Sequence, residues 1–202
     1  MSTKGLFGFR KDGNDKAQYN QSDSYPSGLG RDFVAFLKQN AEKVDRIYEK
    51  INIIDPKTNP TDEQKAYCKE MGWFNDQVSA RSENDWYCLL YGLQDMKEWQ
   101  LAVTDDRDIL MENKISFIKD SLFCEYAYVY DLDTQSLEFY VGFQKSPDEN
   151  NIYGQENKRG YFPCKMIHVI PLEILKNEPT DSIVEKFELA DELDYQKSKK
   201  NV

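Results

Sequence analysis

A single histidine, His168, and four widely separated cysteines are the scarcest reactive groups in this 202-residue chain. One histidine excludes any site that needs two imidazole ligands, and it leaves His168 as the sole partner for a Ser–His or Cys–His pair. Its setting, Met166-Ile167-His168-Val169-Ile170, alternates as a strand does, so it is read as a hydrogen-bonded strand histidine. Cys68, Cys88, Cys124 and Cys164 form no C-x-x-C pair, which removes the local support for a zinc ribbon or a redox dithiol. They are read as reduced, buried thiols, and no metal or cofactor is expected. Long apolar runs are also missing. No stretch approaches the roughly 20 residues of a spanning helix, and residues 1–10 lack the apolar core of a signal peptide. The expectation is a cytoplasmic protein without membrane contact. Positive charge is short as well, with 26 Lys and Arg against 36 Asp and Glu and a net charge of −10. That balance removes the broad basic footprint that duplex nucleic acid requires. No internal repeat or low-complexity tract is present, so solenoid and fibrous architectures are excluded.

What remains is a chain that can bury a core: 40% of its residues are hydrophobic, and 13 Tyr and 11 Phe supply most of the aromatic surface. Residues 5–10 and 16–20 flank Asp12-Gly13, a dipeptide suited to a tight hairpin. A turn-rich stretch over 23–30 follows, then a helical stripe of Phe33, Phe36, Leu37, Val44, Ile47, Tyr48 and Ile51. Asp55-Pro56 and Asn59-Pro60 end that pattern, and Thr61-Asp62-Glu63 starts a second helix reaching Met71. Asn84 is read as the cap of a third helix carrying Trp86, Leu89, Leu90 and Leu93. Residues 123–143 read as a second hairpin around Asp131–Gln135, and residues 165–170 as a further strand after a polar loop over 146–160. Ile183, Val184, Phe187, Leu189 and Leu193 mark an amphipathic acidic helix near the end. The expected fold class is therefore α+β: an antiparallel sheet built from the N-terminal hairpin and the 123–143 hairpin, covered by helices. One globular domain over 1–176 and an acidic C-terminal helix and tail over 177–202 are expected.

The densest cluster of unusual residues lies in the first thirty. Met1-Ser2-Thr3, a hairpin and then an Asn-x-x-Asp element at Asn20 and Asp23 resemble the start of N-terminal-nucleophile hydrolases of the bile-salt-hydrolase and penicillin-acylase type. The likeness covers about the first twenty-five residues. It implies a sandwich of that family, Ser2 as nucleophile once Met1 is removed, and Asn20 and Asp23 as supporting groups. A free α-amino group titrates near neutrality, so it can accept the hydroxyl proton without a histidine. The chain departs from that family where its usual Cys nucleophile is Ser2 and its usual Arg before the Asn is Tyr19. More broadly, Gly5-Leu6-Phe7-Gly8-Phe9-Arg10, Tyr19-Asn20, Asp23-Ser24-Tyr25-Pro26, Gly28-Leu29-Gly30 and Glu125-Tyr126-Ala127-Tyr128-Val129 resemble a family of bacterial and phage proteins. That resemblance implies no reaction, and it has Gln21 where relatives often carry His.

Ser27, Gly28, Gly30 and Arg31 offer backbone amides and a positive charge before a long helix, a place suited to a phosphate or carboxylate. The spacing matches neither the dinucleotide nor the P-loop fingerprint. Three functions follow in order. The first is a non-catalytic acidic module that binds a protein, a basic one by charge, as an inhibitor of a host defence or nucleic-acid-handling system would. The second is an amide hydrolase using Ser2, and the third is an anion- or nucleotide-binding protein.

Overall fold

Asp12 and Gly13 both adopt positive φ, 50° and 71°, the pair of angles that lets a two-residue turn follow the right-handed twist of its strands. They join β1 (Gly5–Lys11) to β2 (Asn14–Asn20) in unbroken antiparallel register, from Gly5 opposite Asn20 to Lys11 opposite Asn14. In the computed structural model, which describes residues 2–200 but not the Lys200 side chain, the chain divides into two compact units. The first comprises Met1–Val44 and Lys114–Val202, and the second is Asp45–Asn113. The second unit lies within the stretch expected as one domain over 1–176, and the acidic segment after 177 groups with the first unit. Asn201 and Val202, like Met1, lie outside the described residues.

The first unit is built on a five-stranded sheet of order β2-β1-β5-β6-β7, where β5 is Tyr126–Asp131, β6 Ser136–Val141 and β7 Lys165–Pro171. Both expected hairpins are present, but they join through a parallel pairing of β1 with β5. The sheet is mixed where an antiparallel one was expected. The reason is the long excursion between the hairpins, which returns the chain on the same heading as β1. Among the described residues this unit holds one such sheet, where the sandwich that the hydrolase resemblance implies stacks two.

Alternation sorts the sheet into two faces. Phe7, Phe9, Tyr128 and Phe139 point to one face, where α1 (Arg31–Asn40) and α7 (Thr180–Lys200) pack. Phe33 of α1 meets Phe7 and Phe9 at 5.4 and 5.6 Å between ring centroids, and Phe187 of α7 meets Phe139 at 4.7 Å. Burying Ile183, Val184 and Phe187 makes α7 part of the core rather than a loose tail. Leu6, Ala127, Val129 and Tyr140 point to the other face, covered by a 3-10 turn over Ile115–Lys119 and by Tyr153 and Cys164. A short helix α6 (Leu172–Asn177) follows β7.

In the second unit, α2 (Val44–Lys50) carries the chain in, and β3 (Ile51–Ile53) pairs in parallel with β4 (Ile109–Met111). The helical stripe expected to run to Ile51 breaks at Asn40, whose side-chain amide donates to Phe36 O at 2.9 Å, and Ile51 opens a strand instead. The helix expected from Thr61 forms as α3 (Asp62–Glu70) with a complete capping box between Thr61 and Gln64. The next helix is capped by Asp85, not by Asn84, and α4 is only Trp86–Leu89; α5 (Met96–Thr104) follows under the Asp95 cap. No helix among the described residues is long and apolar enough to cross a membrane.

Candidate functional site

The residues expected to carry chemistry near the N-terminus are bonded into a turn. The Ser2 hydroxyl donates to Gln21 O. Asn20, buried at the end of β2, donates its amide to Ser22 O and, at 2.8 Å, to the hydroxyl of the fully buried Ser24. Ser24 N donates to Thr3 O at 3.1 Å, and Ser24 O accepts the Tyr128 hydroxyl at 3.0 Å. Asn20 and Ser24 therefore stitch the turn to β1 and β5. Asp23 is exposed at φ 55°, its carboxylate accepting from the Tyr25 hydroxyl at 3.3 Å. The structure ties Ser2 to Gln21, Asn20 to Ser22 and Ser24, and Asp23 to Tyr25, with no partner in common.

The stretch from Ser27 to Arg31 is similarly occupied. Leu29 N donates to Asp23 O, Gly28 N to Tyr25 O, and Arg31 N to Pro26 O and Gly28 O. Gly28 lacks room for a Cβ because Asp23 O lies against it, and Gly30 is pressed on the Tyr128 ring. These glycines serve close packing. The Arg31 guanidinium pairs with Asp181 of α7, Ser27 is exposed, and the backbone amides of 28–31 bond within the turn.

A constellation that the sequence reading missed sits on the second sheet face. Arg10, 7% exposed, donates Nη1 to Glu138 at 2.8 Å and Nε to Asp15 at 3.0 Å, with Asp131 at 3.4 Å. Its Nη2 donates to the Tyr153 hydroxyl at 2.7 Å, and the Tyr140 hydroxyl donates to Glu138 at 2.6 Å. One guanidinium thus holds three carboxylates. Burial raises the Asp15 carboxyl above its ordinary range despite Arg10, and burial likewise raises the Tyr140 and Tyr153 phenols. Tyr140 is held as a donor to Glu138, and Tyr153 accepts from Arg10 while donating to Asp15 at 3.4 Å. Tyr153 belongs to the 146–160 loop, which Arg159 also ties to Asp120 at 2.9 Å and Asn151 to Cys164 O at 2.8 Å. The network reads as a buried fastening of loop to sheet. The available signal was period-2 alternation: Arg10 falls on the face opposite Phe7 and Phe9, level with Asp15 and Asp131 in the register.

The cysteines offer no chemistry of their own. All four are buried and free; burial pushes the Cys68 thiol up to about 11 and holds Cys124 well above the usual thiol range. Among the described residues no group of histidine, cysteine and carboxylate side chains is placed to hold a metal.

A groove of about 560 Å³ opens where the end of the sheet meets the last turns of α7. Tyr126, Phe143 and Tyr195 give it aromatic walls; Lys145, Lys165, Lys197 and Lys199 give it positive charge, and Glu125, Asp191 and Asp194 negative charge. The Tyr126 hydroxyl donates to Asp191 at 2.8 Å, and Lys165 pairs with Asp194 at 2.7 Å. Burial raises the Asp191 carboxyl and pushes the Tyr126 phenol upward. Sequence reading missed this groove because it joins segments some fifty residues apart. No family model, curated protein or solved structure matches the chain.

Proposed function

We propose that this chain works by binding a basic protein through the surface of its second unit, without catalysis. The observation that carries the reading is the distribution of charge. Asp45–Asn113 holds 15 Asp and Glu against 8 Lys and Arg, a net −7 of the chain's −10, within 69 residues. None of those fifteen carboxylates is buried. A dense, solvated field of one sign steers a partner of opposite sign and raises its association rate, with an effect that salt weakens. A partner whose basic surface handles nucleic acid would be occupied by such a unit, as by an inhibitor of a host defence or nucleic-acid-handling system.

The test is a titration of the full chain with poly-L-lysine as the basic probe at several salt concentrations. Glu63→Gln, Asp76→Asn and Asp105→Asn together should weaken binding and flatten its salt dependence. The same number of neutralised carboxylates in the first unit, Glu149→Gln, Glu156→Gln and Glu185→Gln, should do much less. Equal losses from the two triple variants would overturn the assignment to the second unit.

A further inference from the structure

The groove at the end of the sheet runs against the charge of the rest of the molecule. Its three carboxylates are all engaged: Glu125 accepts from Lys4 N at 3.2 Å, Asp191 from Tyr126 and Asp194 from Lys165 and Gln144. Of its four ammonium groups only Lys165 has a carboxylate partner among the described residues. Lys145 lies 3.3 Å from the centre of the Tyr161 ring, a contact to a neutral π face that leaves its charge unneutralised, while Lys199, 4.3 Å from the Tyr195 ring, also feels the Glu192 carboxylate. Lys197 makes no ion pair among the described residues. In a chain of net charge −10, a concave surface lined by four lysines and three carboxylates, with Lys145 and Lys197 in no ion pair among the described residues, is a departure from the surroundings.

The second feature is Phe143. It sits at φ 56°, in the left-handed region that a bulky side chain rarely enters, and its ring is 52% exposed. The backbone is held there by Phe143 N donating to Ser121 O at 2.7 Å, while Gly142 N donates to Glu125 O at 2.8 Å. The ring meets Tyr161 edge-on at 6.4 Å between centroids and leaves its other half in solvent. On the groove wall it presents a flat apolar face beside the unpaired lysines, and the Tyr195 ring, also 52% exposed, presents another.

The geometry points to a binding site for a small anion built on a planar ring, with the ring against Phe143 and Tyr195 and a phosphate on Lys145 and Lys197. A nucleoside monophosphate has this chemistry, and the groove volume falls in the range of roughly 300–1,000 Å³ typical of small-molecule sites. The site is separate from the turn amides at Ser27–Arg31, and it is independent of the charge-driven reading above because it lies wholly in the first unit.

Titration of the full chain with adenosine monophosphate, followed by calorimetry, tests it, with inorganic phosphate, adenosine and poly-L-glutamate as comparison probes. The expected result is saturable 1:1 binding of the nucleotide, tighter than either half. Lys145→Ala with Lys197→Ala should weaken it by about tenfold or more, as loss of charge-assisted contacts does. Phe143→Gly should also weaken it by about tenfold through loss of stacking, while thermal unfolding stays cooperative because glycine relieves the strained φ. Lys119→Ala, exposed outside the groove, should leave binding unchanged. The proposal is overturned if the nucleotide fails to saturate at millimolar concentration or binds no better than phosphate. It is equally overturned if the groove variants bind as well as the parent, or if poly-L-glutamate binds where the nucleotide does not.

Discussion

The two units treat carboxylates in opposite ways. The first unit carries 21 acidic against 18 basic residues and places Asp120, Asp131 and Glu138 in its interior, where Arg10, Arg159 and tyrosine hydroxyls hold them. The second unit has the larger surplus and buries none of it. In the first, charge is a fastener: removing one partner leaves ions stranded in a low dielectric. In the second, ion pairs such as Arg46 with Asp106 are solvent-exposed and contribute little to stability, so their effect is the field they project. Acid content alone therefore does not say what acids are for. Burial does.

Substituting Arg10 should break this contrast most severely. Arg10→Met strands Asp15, Asp131 and Glu138 and should cost about 3–5 kcal/mol, read as a lower urea midpoint. Arg46→Met in the second unit should barely move it. Next is Asn20→Ala, which leaves the buried Ser24 hydroxyl without its partner and should cost about 1–3 kcal/mol. Ser2→Ala, at an exposed position, should leave stability near that of the parent. Tyr153→Phe removes one hydrogen bond to the Arg10 guanidinium, and about 1 kcal/mol with faster amide exchange in the 146–160 loop should follow.

Two pH effects are smaller. The Asp15 carboxyl is raised in the folded chain, so its protonated form is favoured there. Its contribution is present below the unfolded value of about 3.9 and is lost as pH rises through the folded value. Asp15→Asn should accordingly gain on the parent as pH rises above about 4 and lose that gain in stronger acid. His168 behaves in the reverse sense: burial, and then Lys186, lowers its pKa, so its contribution is present above about 6.5 and lost as pH falls through the folded value. Replacing His168 by Phe should flatten this shallow dependence between neutral and mildly acidic pH, as followed by thermal unfolding.

Local chemistry made both hairpins, α3 and β7 legible in the sequence. Asp12-Gly13 needs positive φ, Thr61 and Gln64 cap each other, and Tyr-Val-Phe alternation over 126–141 admits only a strand. The parallel pairing of β1 with β5 was not legible, because the partners lie more than a hundred residues apart and no turn joins them. The short α4 and the two-stranded sheet of the second unit were hidden for a related reason: four- and three-residue elements carry no period. At the sites, the sequence drew attention to Asn20 and Gly28, which prove to hold a turn. It gave no role to Arg10, quoted only within a motif, or to Lys145, because the significance of each depends on which strand or loop comes to lie beside it.

The most direct measurement of the charge contrast is amide hydrogen exchange of the intact chain, free and saturated with poly-L-lysine. Protection gained within Asp45–Asn113, with little change across the sheet of the first unit, is the predicted result. Protection concentrated in 114–200, or none anywhere, would contradict it.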